Sequence, residues 1–452
     1  MKPKLSVVGL GKLGAPMLAV FAHKGFDVTG TDINEDFVDA INEGRAPISE
    51  PQLQEMISAN RDSIRATTDV AEAIRASSVT FIIVPTPSGE DGFFRNDYVE
   101  AALRSIGEAL REKDEFHVVV VTSTVMPGAT GSVLRAALEE ASGKTVGETI
   151  GLCYNPEFIA LGSVVRDMLY PDMILIGESD PKSGDILEAV YRGSVESQPE
   201  FQRMNWVNAE LCKIAVNTYV TTKISYANMI ADMCDHLEHA DSDVVTQALG
   251  ADSRIGKKYL KGAIGYGGPC FPRDNRAFSA LGRSIGMRPD LADATDAIND
   301  HQSTRLVNAI RALAEPDGTH VAVLGLSYKP DTPVIEESQG LQLARDLVEL
   351  GYRVAVSDPQ AMAGLPDDLD TRIGRAPDAA GAITQATVIV LMTPWRDYGN
   401  IDPALFDTGA GPKTIIDPWG ILDAERLPDA VTYVRLGTGG WRWRSEQQAA
   451  AE

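Results

Sequence analysis

The sequence predicts an α/β protein with two Rossmann-like, doubly wound parallel-sheet domains, joined by a long central helix and a helical middle region. Three observations carry this. The first and last thirds of the chain alternate short β-rich runs with helical patterns, which places parallel strands between covering helices. The two thirds also echo one another. Leu5-Ser6-Val7-Val8-Gly9-Leu10-Gly11 parallels Val321-Ala322-Val323-Leu324-Gly325-Leu326-Ser327, and Phe81-Ile82-Ile83-Val84-Pro85-Thr86-Pro87 parallels Val388-Ile389-Val390-Leu391-Met392-Thr393-Pro394. Between them, residues 205–237 contain neither Pro nor Gly and carry apolar residues at helical spacing. A helix of that length runs about 50 Å.

The elements follow in order. Apolar runs predict strands at 5–9, 27–31, 79–84 and 118–122, with helices at 16–24, 35–43 and 97–113 between them. Residues 152–155 and 173–177 read as further strands. A dinucleotide-binding domain therefore spans 1–200 and a central helical domain 201–315. A C-terminal Rossmann-like domain spans 316–440, with strands at 321–325, 354–357, 387–392 and 414–416. The stretch 441–452 has no pattern and is expected to be a flexible tail.

Composition excludes several classes. The 452 residues suffice for about three domains. At 44% hydrophobic and 23% charged, the chain is globular, not disordered. Its 41 basic against 64 acidic side chains leave a formal charge of −23. Such a surface repels nucleic-acid phosphates and anionic lipid, so neither is expected as a partner. The apolar runs fall well short of the ~20 residues a membrane helix needs. With no secretory pattern at the start and four scattered cysteines, reduced thiols in a cytoplasm are expected. No metal is expected either, because His236, His239 and His301 have no zinc-ligand spacing with the cysteines.

Gly9-Leu10-Gly11-Lys12-Leu13-Gly14 is a GxGxxG placed after a strand and before a helix. Glycines there permit a tight turn and close backbone approach to a pyrophosphate, and the helix N-terminus supplies amide donors. Taken alone, the motif also fits a glycine-rich turn that holds no cofactor. Asp32 ends the second strand, where a carboxylate accepts from a ribose 2′-hydroxyl and favours NAD over NADP. Pro85 and Thr86 follow the third strand, at the edge where such sheets bind ligands. A second motif surrounds Cys270, in Gly267-Gly268-Pro269-Cys270-Phe271-Pro272-Arg273-Asp274. A thiol in a Gly/Pro loop beside a cation loses its proton more easily and becomes a nucleophile. Cys153, on a strand, and Cys212 and Cys234, on the long helix, read as packing residues.

These motifs together resemble the UDP-glucose/GDP-mannose dehydrogenase family, the NAD-dependent nucleotide-sugar 6-dehydrogenases. The resemblance runs over residues 4–436. It adds Ser123-Thr124-Val125, Asn155-Pro156-Glu157-Phe158, Glu210-Leu211-Cys212-Lys213 with Asn217, and Gly325-Leu326-Ser327-Tyr328-Lys329. It implies a double oxidation of the sugar C6 to a uronic acid, through a thiohemiacetal and a thioester on Cys270. Lys213 and Asn217, four residues apart on one helix face, would then stabilise the developing oxyanion. Asp274 would assist base and water chemistry, and Thr124 and Glu157 would position the hydrolytic water. Substrate contacts are implied for Phe158, Arg254, Tyr259, Leu260, Lys261, Tyr266 and Gly267. Lys329 would lie near both ligands. Arg254 would reach a neighbouring subunit's site, implying a homodimer or larger homo-oligomer.

The chain departs from the familiar UDP-glucose enzymes at several positions. Leu161 replaces a second Glu and Arg273 a common Lys. Glu336 and Phe37 replace arginines on the cofactor side, and Trp419 replaces a substrate-side Arg. UDP-glucose is the expected substrate, with a UDP-N-acetylhexosamine or GDP-mannose as alternatives. Two readings from other classes remain open. One is a two-electron hydroxyacid-type dehydrogenase, which needs neither Cys270 nor the last domain. The other is a non-catalytic nucleotide-sugar-binding protein.

Overall fold

The computed structural model describes residues 2–367, 369, 371–408 and 411–439; the expected tail at 441–452 lies outside them. The chain forms two compact units, Met1–Ala215 and Val216–Glu452, with the division inside the long helix Trp206–Asp235.

The first unit is built on eight strands: β1 (Leu5–Val8), β2 (Val28–Thr31), β3 (Ile64–Thr67), β4 (Val79–Ile82), β5 (His117–Val121), β6 (Ile150–Tyr154), β7 (Met173–Glu178) and β8 (Glu200–Met204). Their order is β3-β2-β1-β4-β5-β6-β7-β8. The strand order reverses at β1/β4, where Leu5 pairs with both Val28 and Val79. One expectation is corrected. The sheet is not parallel throughout, because β7 runs antiparallel to β6, with Cys153 opposite Glu178. Apolar clusters cover both faces. The helix Gly14–His23 is buried from Gly14 to Ala22, since it lies under the sheet and shows almost no side to water.

The second unit carries the rest of the long helix, the helices Ser242–Ala251, Phe271–Ser284 and Asp290–Leu313, and a six-stranded parallel sheet. Its strands are β9 (His320–Leu324), β10 (Arg353–Ser357), β11 (Ile373–Arg375), β12 (Val388–Leu391), β13 (Thr414–Ile416) and β14 (Thr432–Val434), in the order β11-β10-β9-β12-β13-β14. The first five therefore repeat the β3-β2-β1-β4-β5 order of the first sheet. The echo extends to atoms. A Cβ on Gly14 would lie 1.7 Å from the Gly9 carbonyl oxygen, and one on Gly340 would lie 2.2 Å from that of Gly325. In both sheets the first helix presses on the turn after the first strand too closely for a side chain.

The helical part of the second unit is pinned by a buried charge. Arg305 donates to Asp235 Oδ2 through Nε (2.9 Å) and Nη2 (2.6 Å), and Asp235 Oδ1 accepts from Gly437 N (2.7 Å). Both side chains are excluded from water. Arg305→Leu leaves Asp235 buried without its cation and is expected to destabilise the fold by about 3–5 kcal/mol. Urea unfolding of the variant checks this; a loss below about 1 kcal/mol would show that the pair contributes little beyond its own desolvation.

Candidate active site

The candidate residues form three groups. The first lies at the β1/β4 switch point. A Cβ on Gly11 would meet nothing within 4 Å, so the backbone there is open to a ligand. The helix behind it has no acidic residue in its first turn, which leaves its positive end available to phosphate. Asp32, at the tip of β2, accepts from Leu10 N (2.6 Å) and Asn34 N (2.9 Å), and its remaining lone pairs are available to a ribose hydroxyl. Lys12 and Pro85 are exposed, Leu13 half-buried and Thr86 buried. Ser123 Oγ donates to Val84 O (2.7 Å) and accepts from Val84 N (2.9 Å), tying the loop with Pro85 and Thr86 to the one with Thr124. These residues fit NAD. They would hold its pyrophosphate on the glycine turn and a ribose at Asp32.

The second group surrounds Glu157, just beyond β6. The Lys213 ammonium donates to the Glu157 carbonyl oxygen (2.7 Å) and sits 4.7 Å from the Phe158 ring centre. A carbonyl and a ring face do not exhaust its three donors, so it can still meet an oxyanion. The Glu157 carboxyl is different. Its Oε1 lies 2.9 Å from the Tyr191 hydroxyl, and withdrawal from water pushes its pKa up to about 7, against the opposing effects of Tyr191 and Lys213. The start of the long helix is fixed by Glu210, whose carboxylate accepts from Gly128 N (2.6 Å) and Thr130 N (2.7 Å).

The third group lies in the second unit. Cys270 caps the helix Phe271–Ser284, and its side chain is exposed. A thiol there feels the positive end of the helix, which favours the thiolate. The sequence located the Gly/Pro loop but not this cap. Arg273, expected as a cation beside the thiol, pairs with Asp274 Oδ1 through Nε (3.1 Å) and Nη2 (3.0 Å). Asp274 is fully buried, and its Oδ2 accepts from Asn217 Nδ2 (2.6 Å). The loop is rigidly backed. Gly268 N donates to Glu336 O (3.0 Å), and with φ +84° Gly268 lies where a Cβ would enter the Tyr328 ring. Phe271 is packed edge-on by Tyr259 (6.2 Å) and Tyr266 (6.3 Å), and the Tyr266 hydroxyl donates to Asp296 (2.5 Å).

The other expected residues are spread more widely. Leu260 and Gly267 are buried. Lys261 pairs with Asp243 (3.5 Å), and Arg254 extends into solvent against Asp252 (2.6 Å). Lys329 is half-buried in the loop after β9. Cys212, expected to be buried packing, is half-buried; Cys153 and Cys234 are buried. The departures also find places. Leu161 and Phe37 pack against the first unit's apolar cluster. The Trp419 indole donates to Met392 O (2.9 Å), so its ring is part of the second sheet's rim. Tyr191, against Glu157 and Asn155, was missed: it sits on an ordinary amphipathic helix, and no spacing marks it. Among the described residues there is no cluster of His, Cys, Asp and Glu that would hold a metal ion, and no helix long and apolar enough to cross a membrane.

Comparison with known proteins assigns the class. The chain matches the UDP-glucose/GDP-mannose dehydrogenase family in three successive parts: its NAD binding domain over residues 3–195, its central domain over 207–301 and its UDP binding domain over 322–424. The chain belongs to this family and is an NAD-dependent nucleotide-sugar 6-dehydrogenase. It is 38% identical over 402 residues to the UDP-glucose 6-dehydrogenase AglM of Haloferax volcanii, covering 88% of this chain and 93% of that one. It is 35% identical over 362 residues to a GDP-mannose 6-dehydrogenase of Pseudomonas savastanoi, covering 78% and 80%. Among solved structures, a UDP-glucose dehydrogenase from the archaeon Pyrobaculum islandicum superposes with a TM-score of 0.88 at 33% identity, covering 97% of this chain and 98% of that one.

The raised Glu157 pKa has a consequence for stability. The folded protein holds this proton more tightly than the unfolded chain does, so its contribution is complete at acid pH and is lost as pH rises from about 4.5 to about 7. Relative to Glu157→Gln, the wild type should lose up to about 3 kcal/mol across that window and nothing further above it. Urea midpoints of both proteins across the range measure it. A constant difference would contradict the raised value.

Proposed function

We propose that this enzyme oxidises UDP-glucose at C6 to UDP-glucuronate, using Cys270 as a covalent nucleophile. The observation that carries the proposal is an exposed thiol at a helix N-terminus, one turn from a buried carboxylate that also holds Asn217. NAD, held on the glycine turn and at Asp32, would supply the acceptor for the hydride that leaves C6 at each oxidation. Before the first transfer the C6 hydroxyl gives its proton to solvent water, and Lys213 and Asn217 stabilise the oxyanion. The resulting aldehyde is attacked by the Cys270 thiolate: a carbon–sulfur bond forms and the carbonyl electron pair moves to oxygen. Loss of a second hydride turns this thiohemiacetal into a thioester. Water then adds to the thioester carbonyl, the carbon–sulfur bond breaks, and the carboxylate leaves with the thiolate restored. A group whose pKa lies near neutrality is suited to take a proton from that water, which supports Glu157 in the role, with Thr124 helping to position the water. The likeness to AglM and to the Pyrobaculum enzyme supports UDP-glucose. The Pseudomonas relative makes GDP-mannose the next sugar to test.

The assembly belongs to the same proposal. Tyr219, Tyr226 and Met233 are 63%, 48% and 56% exposed and recur every seven residues on the long helix. A stripe of that kind suits a second copy of the chain, and a homodimer follows. The four thiols, none in a disulfide, suit a cytoplasmic setting.

Two tests follow. Two NADH should form per UDP-glucose consumed, with less turnover of GDP-mannose and UDP-N-acetylhexosamines. Cys270→Ala should reduce uronate formation at least ~1000-fold; one NADH per sugar, unchanged in the variant, would eliminate the thioester route. Tyr226→Arg should convert a dimer to monomers in sedimentation equilibrium, and a wild type that sediments as a monomer would refute the assembly.

A further inference from the structure

Behind Glu157, three side chains form a line: Asn155 at the end of β6, Tyr191 on the helix Pro181–Ser194, and Glu157 itself. Asn155 and Tyr191 are buried, with 2% and 5% of their surface exposed. The Asn155 amide nitrogen donates to Leu175 O (2.8 Å). A carbonyl can only accept, so this contact fixes which way the amide points, and Asn155 Oδ1 is the atom turned to Tyr191. The Tyr191 hydroxyl contacts that Oδ1 and, at 2.9 Å, Glu157 Oε1.

The line has two oxygen–oxygen contacts, and each needs one proton. Tyr191 supplies one; an amide oxygen supplies none. If Glu157 were ionised, a single proton would have to serve both contacts, and two buried acceptors would face each other at one of them. We infer that Asn155 and Tyr191 are positioning residues that set where the Glu157 proton lies: in the resting enzyme Tyr191 donates to Asn155 and a neutral Glu157 donates to Tyr191. When Glu157 ionises, the Tyr191 proton swings from Asn155 to the carboxylate, and the Asn155 bond is given up. Glu157 thus gains a charge-assisted donor at the moment it becomes a base. The ring of Tyr191 is held for this by edge-on packing against Phe21 (6.4 Å) and Phe81 (6.3 Å). Burial raises the Glu157 pKa and so supplies the neutral acid that this arrangement needs, while Tyr191, as a donor to the ionised form, opposes the rise.

For turnover the inference rests on the proposed role of Glu157 at the hydrolytic water; for the proton alone it does not. The test therefore has two readouts. Infrared difference spectra of the ligand-free protein against Glu157→Gln should show a protonated-carboxyl stretch at about pH 6 that titrates away near pH 7. In Tyr191→Phe, which keeps the ring and its packing, the carboxylate loses its donor. The band should then persist about one pH unit higher, and the acid limb of the NADH-forming rate should move with it. The variant would lose about tenfold in rate at pH 6 and recover at high pH. A Glu157 already ionised at about pH 5 in the wild type would overturn the inference. So would a Tyr191→Phe band that does not move with a rate reduced equally at every pH, which is what a structural role alone produces. A band that shifts while the rate limb stays would uphold the proton arrangement and remove Glu157 from the hydrolytic step.

Discussion

The two sheets depend on one steric constraint: the first helix must press so closely on the preceding turn that only glycine fits. Gly14 meets the Gly9 carbonyl, and Gly340 meets that of Gly325. This contact aims the helix N-terminus at the switch point, where strand order reverses and a crevice opens. It was built twice, yet the two copies treat their acidic residue differently. Asp32 accepts two backbone N–H groups and remains half-exposed. Asp358, its counterpart at the end of β10, is buried and accepts from Leu326 N, Ser327 N, Ser327 Oγ, Trp395 Nε1, Gln360 N and Ala361 N. Despite its burial, those donors hold its carboxyl below the usual range. With Ser327 where the first copy has Gly11, the second carboxylate is committed to its own loop. One dinucleotide site and one differently used sheet result.

Electrostatics divides the chemistry in a similar way. Cations near the candidate residues are held by fixed partners: Lys213 by a carbonyl and a ring, Arg273 by Asp274. The thiol sits at the helix end that Cys270 caps. Glu157 carries its charge with difficulty, since burial works against ionisation and outweighs the donation from Tyr191 and the charge of Lys213.

Most of the fold was legible because buried strands must be apolar. Every strand read from sequence is interior to its sheet. The four that were missed, β3, β8, β11 and β14, are the four sheet edges. Edge strands face water, so Ile-Arg-Ala-Thr or Glu-Phe-Gln-Arg-Met carries no apolar run. The antiparallel turn of β7 was illegible for a related reason: a buried strand reads the same in either direction. At the site, Gly9, Gly14, Asp32 and Cys270 were legible because their chemistry needs particular residue types at short spacing. Tyr191 was not, because its partners come from β6 and the loop after it, over 30 residues away in sequence.

The sequence by itself determined the class of fold, the glycine turn and the place of Cys270 in its Gly/Pro loop, since each is encoded in contiguous residues whose backbone or chemistry tolerates few substitutes. Tertiary structure alone decided how those groups are charged and held. Asp274 binds Arg273 on one side and Asn217 on the other, Asp358 is turned inward while Asp32 remains accessible, and Glu157 is drawn from water against Tyr191. The physical reason is that burial and hydrogen-bond partnership depend on what distant segments bring to the same point, and no local pattern records that.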